Sequence, residues 1–469
     1  MTRHLGRSLV IAVILGWTFV PPAEGLGPQT RDVPDIEFFF EAVSEEKDAS
    51  EQALQQIGSM WRDSYAALIL DLARVFQVRR DSLSMVQRLM GFLQEQTNQR
   101  FGNDLDRWRE WIWSLPDELH PEYVLFKGIL YSAIDPRMRS FFPEDAPTRI
   151  RLDEVDWGGV GVNGIPPLNF PEHLSASEAQ YLKDLNVVFG LSVNGEARAY
   201  PKRILAWHEM ARDRLGGLEI TIVYCTLCGT AIPYDNRLEG RVYRFGTSGL
   251  LYRSNKLMFD EESKSLWSSL EGKPVIGSLV GSGLRLRFLP VVTTTWGEWK
   301  EEHPDTKVLS LDTGHERDYS EGAAYRDYFS TDQLMFPVSK RDRRLKNKDE
   351  VLVILPGTAS DEKSQGMPLA ISAKFLKKRR LYQTRTAGQD IIVVTSREGA
   401  NRVYGAQGER FERRVSDGRI EDDRGRIWRV TEEALVLESD SETRLPRLSA
   451  QRAFWFGWYA QFPTTRLIK

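Results

Sequence analysis

The sequence predicts an α+β protein, a helical N-terminal domain followed by a β-rich domain made of two diverged repeats. Three observations predict it. From about Asp35 to Ala133 apolar residues recur at helical spacing, after a connector rich in Pro and Gly the pattern changes to short strands and tight turns, and two blocks of that later part share residues in the same order. The 469 residues are 41% hydrophobic and 11% aromatic, enough for more than one core.

The chain opens on a leader. Arg3 and Arg7 precede an apolar run from Leu9 to Val20, and Ala23 and Gly25 offer small residues for cleavage, which is the form of a signal peptide over residues 1–25. The mature chain is then expected to start near Leu26 and to be exported, periplasmic or secreted. The run is short for a hydrocarbon core of about 30 Å, so an uncleaved N-terminal anchor is the lesser alternative. No later segment has the form of a membrane span.

Residues 26–148 read as the helical domain, with four or five amphipathic helices packed as antiparallel hairpins. Leu54, Ile57, Trp61, Tyr65, Leu68, Leu72 and Val75 follow 3–4 spacing; Ser82 has the form of an N-cap before Met85, Leu89 and Phe92, and Asn103 of one before Leu105, Trp108 and Ile112. Trp108, Trp111 and Trp113 are expected to pack rather than to cage a ligand.

The strand signals VVFGLSV, LEITIVY, TAIPY and RVYRFG follow, separated by Asn-Gly, Gly-Gly and Glu-Gly turns. Residues 149–340 form the first α+β repeat and residues 341–469 a degenerate second one. GEARAYPKRIL from Gly195 aligns with GMPLAISAKFL from Gly366, an offset of 171, and at the same offset GLEITIV from Gly217 meets GQDIIVV from Gly388. Trp296, Trp299, Pro304 and Thr306 recur as Trp455, Trp458, Pro463 and Thr465, at an offset of 159. The second copy has neither cysteine nor histidine, and Ser396 and Gly399 stand where the first has Cys225 and Cys228.

Sixty-three basic residues against 66 acidic ones, a formal charge of −3, supply no basic field for nucleic acid, and no such partner is expected. The chemistry concentrates in VYCTLCGTAIPYD, which holds the only two cysteines, Cys225 and Cys228. A disulfide across so short a loop stabilises less than the ~3 kcal/mol of a 15-residue loop. A thioredoxin-type pair opens a helix, whereas this one sits between strand signals. A turn holding Cys-x-x-Cys-Gly has the shape of a zinc knuckle, but with no second cysteine pair the remaining ligands must be histidines, or the site has an open position.

Of six histidines, His4 lies in the leader, His120 in the helical domain and His173 in the connector, leaving His208, His303 and His315. His208 sits in AYPKRILAWHEMARDRLGG, read as a helix entered at Pro201 and left at Gly216-Gly217, with His208 on the apolar face beside Ile204, Leu205, Ala211 and Leu215. Its bland role is a core histidine; its sharper one is a third ligand aimed at the cysteine turn. His303 reads as the C-terminal residue of a helix, before Pro304. GTSGL at Gly246 lacks the last glycine of a nucleophile elbow, so FGTSG reads as a tight turn and no serine-hydrolase set is present. Met258 reads as core, and Asp260 and Glu261 as turn or pocket acids.

AYPKRILAWHE, TIVYCTLCGTAIPYD, FGTSGLLYRSNKLMFD, SLWSSLEGKPVIGSLVG and TTTWGEWKEEHPDTKVLS together closely resemble the family catalogued as domain of unknown function 3179, over roughly Arg151 to Lys469, with the helical part resembling an N-terminal extension of some members. Thr226 departs from the proline usual in that family's Cys-Pro-Leu-Cys-Gly motif. The resemblance places His208-Glu209 within a family motif and implies no activity.

The sequence thus points to a soft metal, zinc or copper, bound by Cys225, Cys228 and His208, with storage, structural and catalytic roles all open. Two competing classes stay alive: a metal-free thiol oxidoreductase using the two cysteines alone, and a non-catalytic envelope scaffold binding a partner through its Trp-bearing helices.

Overall fold

A computed structural model of the protein describes residues 33–79, 83–356 and 366–469. The leader and the cap expected at Ser82 lie outside the described residues. Two compact units are present: one holds residues up to Val162 with Ser263–Leu266 and Val275–Gly281, the other Asn163–Glu262, Trp267–Pro274 and Ser282–Lys469.

The first unit is helical, with α1 (Ile36–Glu41), α2 (Lys47–Ser59), α3 (Ala66–Arg79), α4 (Leu83–Thr97), α5 (Leu105–Ile112) and α6 (Tyr123–Ser132). The sequence expectation of four or five helices falls short because the 3–4 spacing through Trp61 runs across a break at Met60–Arg62, which separates α2 from the next turn. The cap of α5 is Asp104, whose carboxylate accepts from the Arg107 N–H at 3.1 Å, and not Asn103. Trp108 is fully buried and Trp113 nearly so. Inside the unit Lys127, with no exposed surface, pairs with Asp71 at 2.7 Å and donates to the Val155 carbonyl at 2.9 Å. A buried ammonium without such partners would carry the full cost of desolvation.

The second unit contains both repeats. In the first copy β1 (Val187–Val193) and β2 (Glu196–Pro201) form a hairpin, α7 (Lys202–His208) follows, and β3 (Met210–Leu215), β4 (Leu218–Cys225) and β5 (Thr230–Asp235) form an antiparallel meander. After the hairpin of β6 (Phe245–Tyr252) and β7 (Asn255–Asp260), β8 (Val292–Thr295), α8 (Trp296–Glu302) and β9 (Lys307–Leu309) return to β1 and β2, and α9 (Arg326–Ser330) follows. The second copy repeats this plan. Its matching elements are β10 (Glu350–Ile354), β11 (Leu369–Ser372), α10 (Ala373–Arg379), β12 (Leu381–Thr386), β13 (Gln389–Thr395), β14 (Asn401–Gly405), β15 (Gln451–Phe454), α11 (Trp455–Gln461) and β16 (Arg466–Ile468), and five further strands lie between β14 and β15.

Sheet order establishes the duplication. One sheet runs β8-β1-β2-β9 and adds His173–Ser175 as a fifth strand beyond β9, its counterpart runs β15-β10-β11-β16, and in both the first two pairings are antiparallel and the third parallel. The cores correspond too: Leu205, Ile220 and Ile222 match the buried Leu376, Ile391 and Val393. In each copy a buried tryptophan donates to a threonine hydroxyl, Trp299 to Thr306 at 2.9 Å and Trp458 to Thr465 at 3.0 Å.

One expected element is corrected. The helix entered after Pro201 stops at His208, because Glu209 adopts a left-handed conformation (φ 55°), and Met210–Leu215 continues as β3. Gly216-Gly217, read as a helix exit, is the hairpin turn into β4. A Cβ at Gly216 would stand 2.1 Å from the Val193 carbonyl oxygen, so only glycine fits.

Candidate functional site, a buried dithiol

Cys225 ends β4 and pairs with Thr230 at the start of β5, which leaves Thr226–Gly229 as the turn between them. Both cysteines are free thiols and both are buried. Their sulfurs face a single acceptor, the Ser254 carbonyl, at 3.8 Å from Cys225 Sγ and 3.5 Å from Cys228 Sγ. The turn between β6 and β7 aims that carbonyl, with Arg253 and Ser254 both at positive φ (47° and 61°). Two successive left-handed residues match the twist of a two-residue hairpin, and neither is the glycine or asparagine that adopts the conformation most readily. Asn255, next in the chain, donates from Nδ2 to Cys228 Sγ at 3.7 Å while its Oδ1 is held by Ser269.

The two thiols are pulled in opposite directions. Burial pushes the Cys225 thiol up, but hydrogen bonds from the Cys228 thiol and from the backbone N–H groups of Lys256 and Cys228 outweigh it and bring Cys225 below the usual thiol value. Cys228 is held well above that value, chiefly by its hydrogen bond to Cys225 and then by burial. Of the two, Cys225 gives up its proton the more readily.

Glu209 completes the site. Its left-handed backbone turns the chain out of α7, and its side chain, 5% exposed, accepts at Oε1 from the Thr226 hydroxyl at 2.5 Å and from the Tyr325 hydroxyl at 2.9 Å. Its Oε2 is paired with Lys256 Nζ, and Lys256 is itself buried. The second copy has the same backbone with different chemistry. Arg380 stands at the offset of 171 from Glu209, with φ 56°; the Glu209 and Arg380 carbonyls accept from Tyr224 N–H at 2.9 Å and Thr395 N–H at 2.7 Å. The duplicated scaffold therefore carries Glu209, Cys225 and Cys228 in one copy and Arg380, Ser396 and Gly399 in the other.

All of these residues fall within residues 162–465, the stretch that matches the family described as protein of unknown function (DUF3179). The chain belongs to this family. No curated protein and no solved structure matches it. The DUF3179 match covers both copies of the repeat and begins beyond the last helix of the helical unit.

In this DUF3179 chain the three sequence-predicted ligands do not converge. Cys225 and Cys228 lie together, whereas His208 uses both ring nitrogens elsewhere, Nδ1 on the Pro166 carbonyl at 2.9 Å and Nε2 on the Tyr319 hydroxyl at 2.5 Å. The ring has no exposed surface and stacks near His315 and Tyr319. The early end of α7 separates them: His208 is its last residue, and the αL turn at the next position delivers Glu209 to the dithiol instead. FGTSG is also corrected, since it lies in β6, where a register shift between Thr247 and Leu251 replaces the expected tight turn. Ser248 is buried and donates to the Leu257 carbonyl, so it is no nucleophile.

Among the described residues one other cluster brings metal-ligand atoms within 4.8 Å of one another: Glu302, His303 and Glu432. Arg402 pairs with both carboxylates and Arg447 approaches Glu432 to 3.8 Å, so two guanidinium groups already hold the position a cation would take. His303 caps α8 as the sequence predicts, and Phe462 occupies the same place on α11. Glu261 pairs with Arg212 at 2.5 Å at a pocket of about 230 Å³ that also includes Phe170 and Asn236, none of them a predicted ligand.

Glu209, Lys256 and Ser254 are the site residues that sequence reasoning did not single out. A usable signal exists for the first of them, because extending the repeat alignment by four residues beyond Leu205 and Leu376 sets Glu209 against Arg380.

Proposed function

We propose that the protein is an exported dithiol–disulfide redox protein working at Cys225 and Cys228. The carrying observation is the pairing, inside one β-turn, of two free buried thiols whose sulfurs face the same carbonyl at 3.5 and 3.8 Å. The half-reaction is two thiols to one disulfide, with release of two electrons and two protons. With a low-molecular-weight disulfide as oxidant, Cys225 thiolate attacks one of its sulfurs and releases one external thiolate. Cys228 then attacks Cys225 Sγ, and the second external thiolate leaves as the internal S–S bond forms. A carbonyl that accepts an S–H from the dithiol has nothing to accept from a disulfide, so Ser254 favours the reduced pair. Because both sulfurs are buried, an external disulfide reaches Cys225 only when the cover over the turn withdraws.

The test is equilibration of the purified protein in a glutathione series, acid quenching, alkylation and mass measurement. One reversible transition is expected, from two alkylated thiols to none, and it is lost in Cys225→Ser and Cys228→Ser. The reading fails if no internal disulfide forms anywhere in the series, or if the thiols become alkylable only on removal of stoichiometric zinc or copper by a chelator.

A further inference from the structure

We propose that residues 310–349, the connector between the two copies, form a latch over the dithiol, and that its release, with both copies still folded, lets an external disulfide or alkylating reagent reach the sulfurs. This deepens the redox reading above by assigning control of access to one segment. Cys228 has no exposed surface and Cys225 is 2% exposed, so some part of the cover must move before either sulfur reacts.

The connector leaves β9 at Leu309 and enters β10 at Glu350; its described residues include one regular element, the five-residue α9, and none of them joins a sheet. Three hydrogen bonds fasten its middle to the site, each to a different part. The Tyr325 hydroxyl donates to Glu209 Oε1 at 2.9 Å, and the Tyr328 hydroxyl donates to the Leu227 carbonyl, inside the cysteine turn, at 2.8 Å. Ser254, whose own carbonyl faces both sulfurs, donates its hydroxyl to the Phe336 carbonyl at 2.8 Å. Tyr328 and Val338 are buried in the apolar cluster that contains the two cysteines, and Phe329, Leu334 and Phe336 pack against it.

The backbone-to-backbone bonds that tie the connector to other elements lie at its two ends. Ser310 N–H donates to the Glu172 carbonyl at one end, and at the other the Asn347 and Asp349 carbonyls accept from Phe456 and Trp455 N–H. The rest of the cover is built differently. Phe454 belongs to β15, which pairs with β10, and α11 follows directly, with Trp458 fixed on Thr465. Displacing that side disturbs a sheet, whereas lifting the connector breaks side-chain bonds and apolar contacts and leaves the strand pairings of both copies intact. Segments joined by few backbone hydrogen bonds are those that open locally, and lids over reactive sites are drawn from them.

The test is native-state alkylation of the two thiols in wild type, Tyr325→Phe, Tyr328→Phe and Ser254→Ala, with circular dichroism and urea midpoints as the check on folding. Tyr404→Phe is the control, because it removes a buried tyrosine bond of the same kind, to the Thr431 carbonyl at 2.5 Å, in β14. Each connector variant should alkylate about fivefold faster than wild type, the effect of one lost hydrogen bond on a local opening, and Tyr404→Phe should keep the wild-type rate. Wild-type alkylation should also change little with urea well below the unfolding midpoint, since a local opening exposes little surface. The inference is overturned if the connector variants are no faster than Tyr404→Phe, or if the wild-type rate rises with urea as steeply as global unfolding does; should a variant not fold, that urea dependence decides alone. Alkylation needs no disulfide, so the two readings fail separately. Faster connector variants of a protein that never forms the disulfide keep the latch and remove the redox reading, and a reversible disulfide with unchanged variants does the reverse.

Discussion

His208 shows how a residue suited to metal binding becomes a structural group. Burial, outweighing the bond to the Pro166 carbonyl and helped by His315 and Arg317, lowers its proton affinity to a pKa of about 4, against 6.5 in the free side chain. A base whose folded pKa lies below its unfolded one stabilises the fold above the unfolded value, and that stabilisation disappears as the pH falls through the window between them. The unfolded chain binds the extra proton between pH 6.5 and 4, so wild type should lose up to about 3 kcal/mol over that interval through this group. His208→Gln should be less stable than wild type at pH 7 and should lack that part of the acid dependence. Urea midpoints at pH 7 and pH 4.5 for both proteins check it, and parallel pH dependences would contradict the assignment.

At the scale of elements, the repeated tryptophan–threonine bond gives the duplication an energetic test. Trp299 and Trp458 are fully buried, and each has its indole N–H on the hydroxyl of the threonine seven residues on. Thr306→Val and Thr465→Val each leave a buried donor unpaired and should each cost about 1–3 kcal/mol. Denaturant titration should give two similar losses; a cost confined to one copy would mean that the shared geometry does different energetic work in the two. Elements of this kind were legible in advance because they depend on local pattern. β1, β4 and β5 follow the apolar strand runs, and the described α-helices of the first unit, Ile36 to Ser132, fall within the stretch of 3–4 spacing. β3 was not legible, since Met-Ala-Arg-Asp-Arg-Leu consists largely of helix formers and becomes a strand only by pairing with β4 after Glu209 ends the helix. The site divided in the same way. The two cysteines share a turn, so their pairing followed from spacing, whereas Glu209 meets Lys256 across 47 residues and Tyr325 across 116, contacts that no local pattern encodes.

At the scale of the whole second unit, the copy without thiols packs against the dithiol of the other. Phe454 of β15 donates its N–H to the Cys228 carbonyl at 2.7 Å, and Phe454 and Phe456 join Leu251 and Tyr328 in the apolar cluster around both cysteines. Arg402 of β14, paired with Glu302 of α8, fastens the copies together at a second point. A third close approach is at Gly457 in α11, where a Cβ would stand 2.8 Å from Cys228 Sγ and 3.0 Å from its Cβ. Gly457→Ala must therefore push α11 away from the dithiol or push Cys228 toward Ser254. The expected result is a destabilisation of about 1–3 kcal/mol together with faster alkylation of Cys228 under native conditions. Gly91 in α4 is the control, because a Cβ there meets nothing within 4 Å. Gly91→Ala should raise stability by about 0.5–1 kcal/mol, as removing a helical glycine does, and leave thiol reactivity unchanged. Native-state alkylation rates and urea midpoints for the two variants separate a cover that seals the dithiol from one that merely lies against it. Unchanged Cys228 reactivity in a destabilised Gly457→Ala would show that α11 does not control access.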